Sequence, residues 1–173
     1  MPRLRPEQAE CRVSVFKEGA LSRVGHDVML RFAKLSLEIG DDDAMNAEFD
    51  VASLEVVGAL EHGKVRPHVL SAKDQREIAG NIRKVLQPER YPKAKFESTE
   101  VDAIDDGYRI SGMLALCGRT RRLELVARRR EGKAVIETTL QQPDFGIKPF
   151  KALLGALRIQ PGVRVEMSVP YDE

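Results

Sequence analysis

The chain has 173 residues, 42% of them hydrophobic and 32% charged, and its 28 Lys and Arg nearly cancel its 27 Asp and Glu. This composition reads as one folded domain over residues 1–173 and not as a disordered chain. The charge balance argues against a dedicated nucleic-acid binder, though not against a local patch. Cys11 and Cys117 are too few for a disulfide framework and form no CxxC pair, so zinc ligation of the finger type is out. Met1 to Glu7 shows no apolar stretch behind its basic start, and no run approaches the length of a membrane span. The expected location is therefore the cytoplasm, with both thiols reduced.

Two-residue alternation dominates the sequence. Cys11 to Phe16 reads as a short strand and Gly19 to Gly25 as a connection. Apolar residues then fall at Val28, Leu30 and Phe32, and again at Leu35, Leu37 and Ile39. That change of parity is what a β-bulge or a bend produces. After the acidic turn Gly40 to Asp43, the residues Met45, Ala47, Phe49 and Val51 alternate and complete a hairpin. Ser71-Ala-Lys-Asp74 has the spacing of a capping box, and Ile78, Ile82, Val85 and Leu86 follow at helical spacing. One amphipathic helix is predicted from Ala72 to Leu86, ended by Gln87-Pro88. Four further alternating stretches, Lys95 to Val101, Tyr108 to Leu116, Arg121 to Val126 and Lys133 to Leu140, have the spacing of an antiparallel meander. Val163, Val165, Met167 and Val169 make the last strand. About eight half-apolar strands and one helix predict an all-β fold, an antiparallel up-and-down barrel that leaves no open edge.

Few residues point to chemistry. His62 and His68 are too far apart for one helix face and read as a solvated loop, so no metal site is expected. His26-Asp27 is the pair on which a hydrolase or metal-dependent enzyme would be centred. Adjacent strand residues point to opposite faces, however, and no nucleophile is placed beside them. A structural His26 that satisfies local backbone groups is expected, with no catalytic residue and no cofactor. Cys117 reads as a small buried hydrophobe. Acids crowd Glu97 to Asp106 and bases crowd Arg119 to Lys133, which suggests neighbouring strands of opposite sign paired across the ladder. In Phe145 to Ile159 the only charges are Lys148, Lys151 and Arg158. Such a segment suits a lid or a membrane-surface contact. Its breaks at Gly146, Pro149 and Gly155 favour a short turn-and-helix plug at one barrel end.

Several strings, in this order, carry a resemblance: Tyr91-Pro-Lys-Ala-Lys-Phe96-Glu-Ser98, then Gly107 to Leu125 with its Gly112-Met-Leu114-Ala-Leu116-Cys-Gly118-Arg-Thr120-Arg core, then Asp144-Phe-Gly-Ile147. Together they resemble the YceI-like family, lipocalin-like barrels implicated in binding polyisoprenoids. The resemblance runs from Cys11 to Val169, with the stretch Phe16 to Asp27 departing as in a divergent branch. It implies non-enzymatic binding, carriage or sequestration of a long apolar ligand, an isoprenoid or related lipid, inside the barrel. From charge balance and the lack of a long apolar run, no nucleic acid and no stable membrane insertion are expected, and a homodimer stays open.

On that reading the ligand wall comprises Phe32, Phe96, Ile110, Leu114, Leu116, Leu123 and Leu125, with Val163 and Val165 from the last strand. Phe145, Ile147, Phe150 and Leu154 would cover the ligand, and Lys148, Lys151 and Arg158 would hold an anionic headgroup. Small Gly112 and Ala127 would leave room. The alternative is a filled barrel that serves only as a homo-oligomeric interaction module.

Overall fold

Strands with one apolar face bury it by curling the sheet on itself. The computed structural model describes residues 3–20 and 25–172, so most of the expected connection at 19–25 lies outside the described residues. In chain order the elements are β1 (Glu10–Val15), β2 (Lys17–Glu18), β3 (Asp27–Phe32), β4 (Leu35–Ile39), β5 (Met45–Asp50), β6 (Leu54–Glu61), β7 (Lys64–Arg66), α1 (Ala72–Leu86), β8 (Lys93–Ile104), β9 (Gly107–Leu116), β10 (Arg119–Arg130), β11 (Lys133–Gln141), β12 (Lys151–Ala152), β13 (Leu157–Ile159) and β14 (Gly162–Pro170). Eleven of the strands form one sheet, ordered β4-β5-β8-β9-β10-β11-β14-β1-β3-β6-β7, and β12-β13-β2 form a small second one. Every pairing is antiparallel.

The strand count exceeds the expected eight because two long runs bend, β7 adds a short strand beside β6, and β2, β12 and β13 form the second sheet. β3 and β4 are one run broken at Ala33-Lys34, where the apolar parity changes. β5 and β6 are one run broken by a 3-10 turn at Val51–Ser53. Hydrogen bonding carries through the bend: Ala33 donates its N–H to the Ser53 carbonyl at 3.1 Å, and Asp50 donates to the Lys34 carbonyl at 3.1 Å. The Ser53 hydroxyl accepts from the Lys34 N–H at 3.0 Å and donates to the Asp50 carbonyl at 2.7 Å. With the bent runs taken whole, the sheet follows chain order, and β14 returns to pair with β1. The result is an all-β, lipocalin-like curled sheet. β6 escapes the sequence reading because Val56-Val57-Gly58-Ala59 does not alternate; opposite it, the register slips between Met29 and Leu30 of β3.

Up-and-down order sorts the connections. The turns at 40–44, 105–106 and 131–132 lie at one end. The four remaining connections, including α1 and residues 142–161, lie at the other. α1 carries the expected capping box: the Asp74 N–H donates to the Ser71 hydroxyl at 3.0 Å and the Ser71 N–H to the Asp74 carboxylate at 3.2 Å. It ends at Gln87, whose left-handed backbone (φ 50°) stops it before Pro88. No residue of α1 is buried.

Two expectations need correction. The plug is not helical: a 3-10 turn at Gln142–Phe145 leads to the β12–β13 hairpin, which pairs with β2. Positive φ at Gly146 (70°), Leu154 (56°) and Gly155 (87°) rules out a continuous helix there. The acidic and basic strands are not neighbours either, because β8 and β10 flank β9 from opposite sides. The two runs still meet at their ends, where Arg128 pairs with Asp106 at 3.0 Å, whereas Arg130 turns to Glu137 of β11, which also takes Arg164 of β14, each at 3.0 Å.

Candidate functional site

The inward residues of the sheet do not fill it. They enclose a cavity of about 550 Å³. Of the expected wall residues, Phe32, Phe96, Leu114, Leu116, Leu123, Leu125, Val163 and Val165 line it, as do Phe145, Ile147 and Phe150 from the connection before β14. Ile110 is buried but packs off the wall, and Leu154 stands fully exposed at the tip of the β12–β13 hairpin. The wall also takes residues outside that set, such as Cys11, Met45, Ala47 and Met167 at depth. A barrel packed solid is not what these residues build.

α1 supplies the most consequential addition. Its apolar stripe, Ile78, Ile82, Val85 and Leu86, lines the cavity, which is why a strongly amphipathic helix buries none of its residues. The stripe is legible in the sequence; its facing empty space is not. A second cavity of about 480 Å³ lies between α1 and β6, bordered by Leu54, Val56, Ile82 and Leu86. The helix is thus flanked by space on two sides.

Exposed wall residues mark the mouth: His26 at the start of β3, Glu77 on α1 and Arg158 on β13, all at the end of the long connections. Lys17, Asp74 and Asn81 stand with them on the wall. Backbone and hydroxyl hydrogen bonds from Ser71 hold the Asp74 carboxyl below the usual range, with smaller electrostatic contributions from nearby His26 and Lys73. Arg158 donates from Nε to Glu18 at 2.8 Å and from Nη1 to the Gly155 carbonyl at 3.1 Å. Lys148 and Lys151 are exposed and lie off the wall, so the three basic residues do not converge on the mouth.

The adjacent His26 and Asp27 part company. His26 is exposed at the mouth, whereas Asp27 is off the wall and accepts the Lys17 backbone N–H at 2.8 Å. The structural role expected of His26 belongs to Asp27, whose carboxylate satisfies that part-buried donor. Among the described residues no group of three His, Cys, Asp or Glu is placed to hold a metal ion. No helix among them is long and apolar enough to cross a membrane. Burial pushes the Cys11 thiol up to about 12 and raises Cys117 as well, the opposite of an activated thiolate.

A curled antiparallel sheet around an apolar cavity, with its polar groups gathered at one mouth, defines a lipocalin-like binding barrel. The YceI-like domain model matches residues 5–171, and the chain belongs to that family. Solved structures share the fold. BcnA of Burkholderia cenocepacia is 11% identical with a TM-score of 0.63, over 96% of this chain and 98% of that one. A polyisoprenoid binding domain from Saccharophagus degradans, implicated in plant cell wall breakdown, is 15% identical with a TM-score of 0.60, over 99% and 97%. A YceI protein of Campylobacter jejuni is 13% identical with a TM-score of 0.53, over 83% and 84%. A search of curated proteins finds no match. The family and the cavity together support a binding role.

Proposed function

We propose that the cavity takes one long apolar molecule, an isoprenoid or related lipid, and that the protein carries or sequesters it without catalysis. The observation that carries this reading is the cavity itself, apolar at depth and polar only toward its mouth. Its volume of about 550 Å³ lies within the roughly 300–1,000 Å³ of single-ligand sites. The polyisoprenoid binding of the Saccharophagus relative supports the choice of ligand class. At the mouth a head of the ligand would meet Lys17 and Arg158 on one rim and Asp74 and Glu77 on the other, which suits a small polar group as well as an anionic one. The space under α1 favours this reading over a filled interaction module.

Native mass spectrometry of the purified protein tests it. A retained lipid appears as added mass, and N-phenylnaphthylamine fluoresces on entering an emptied cavity. Protein that carries no added mass and takes up no probe would overturn the reading.

A further inference from the structure

We infer that the β12–β13 hairpin docks the mouth of the barrel onto an anionic lipid surface. Single exposed leucines are ordinary, but Leu154 combines three unusual properties. It is fully exposed at a hairpin tip. Its backbone is left-handed (φ 56°), a conformation that an L-residue with a branched side chain rarely adopts. It therefore contributes neither burial nor local comfort to the fold. And the hairpin that carries it forms the rim of the mouth, with Ala152, Leu157 and Arg158 on the cavity wall.

The charge around the tip points to the surface it meets. Lys151 sits opposite Arg158 in the hairpin, Lys148 precedes it, and Arg119 lies against Gly146 at the start of β10. Among the described residues Arg119, Lys148 and Lys151 form no ion pair, whereas Arg158 is neutralised by Glu18. Asp74 and Glu77 stand on the α1 side of the mouth, so the hairpin rim is the side that meets negative charge. At the far end of the barrel the turns carry Asp41, Asp42, Asp43 and Asp105, which face away from the lipid in this pose. An apolar tip among uncompensated cations is the pattern of a peripheral contact with anionic headgroups, where each cation near the surface strengthens binding about fivefold. Docked in this way, the mouth opens onto the bilayer, and an apolar ligand passes between membrane and cavity without crossing water. This last step rests on the carrier reading above; docking itself does not.

The test is flotation with vesicles of phosphatidylglycerol or of phosphatidylcholine, using the whole protein. Binding is expected to phosphatidylglycerol only, and to weaken as salt is added. The pair Lys148→Glu with Lys151→Glu should weaken it by at least about 25-fold. Leu154→Asn should weaken it as well while keeping the fold, because Asn tolerates the left-handed region. All variants should still take up N-phenylnaphthylamine. Failure of the wild type to float with phosphatidylglycerol, or variants that float equally well, would overturn the docking. So would a Leu154-dependent dimer in sedimentation with no vesicle binding, which would assign the tip to a second copy of the chain. Flotation without probe uptake would leave docking standing and remove the carrier reading; uptake without flotation would do the reverse.

Discussion

The ring of Phe96, on β8, lies across Gly112 of the neighbouring β9. A β-carbon on Gly112 would stand 2.8 Å from Cε2 of that ring and 2.5 Å from the Glu97 carbonyl oxygen. The absent side chain therefore does not widen the cavity, as its small size suggests; it seats an aromatic wall residue from the next strand. Gly112→Ala is expected to cost about 1–3 kcal/mol through overpacking. At about 2–4 °C per kcal/mol for a domain of this size, that loss is readable in a thermal melt. The displaced ring enters the cavity, so uptake of N-phenylnaphthylamine should fall as well.

Asp27 and His26 should separate cleanly in stability. Asp27→Ala leaves the Lys17 N–H without its acceptor in a part-buried position, a loss of about 1–3 kcal/mol. His26→Ala, at an exposed site, should stay within about 0.5 kcal/mol of wild type. Urea unfolding of the two variants checks the order; equal losses would mean that His26 carries structure after all.

α1 should behave as the loosest wall. Ile82 borders both cavities, so Ile82→Ala removes few close contacts and should cost only about 1 kcal/mol. Leu37→Ala, buried in the main core, should cost the roughly 2–5 kcal/mol of a packed site. Amide exchange should be faster in α1 than in β9 and β10, and lipid loading should slow α1 most. Equal protection in the unloaded protein would count against a movable helix.

The two thiols should differ in reactivity and in their effect on alkaline stability. Cys11 is buried with its pKa raised from 9.0 to about 12, while Cys117 is only partly buried and less perturbed. Iodoacetamide should modify Cys117 first and Cys11 far more slowly, because the raised pKa leaves little thiolate on the cavity wall, as followed by mass spectrometry. A raised folded pKa favours the protonated form, so this contribution is fully present below pH 9 and lost as pH climbs toward about 12. Cys11→Ala should flatten that alkaline decline.

What could be read from the sequence follows physical range. α1 was bounded correctly because its signals are local: a capping box at Ser71 and Asp74, and Pro88 beyond the end. The alternating strands were equally plain, since burial of one face imposes the period directly. β6 was not, because Gly58 packs its backbone against Val65 and Arg66 and breaks the alternation. Parity correctly put Leu114, Leu125 and Val165 on the inside. It could not tell wall from packed core, as Ile110 shows, because a void is what remains after every facing side chain has been placed. Lys148 and Lys151 lie off the wall in a segment whose path includes left-handed backbone at Gly146 and Leu154, and of these only the glycine is foreseeable by residue type.

The ladder between β1 and β14 joins Cys11 to Met167 and Val13 to Val165. These partners stand at nearly opposite ends of the sequence, so the seam closes only once the last strand is available. During synthesis β1 and β11 must wait with bare edges until 162–170 leaves the ribosome, a delay that long-range pairing imposes on folding. Over that interval a chaperone or another nascent chain competes for the same hydrogen bonds. Loss of β14 would expose two unpaired strands at once and open the cavity along its length. Truncation from this side should accordingly turn a self-contained barrel into an aggregating sheet.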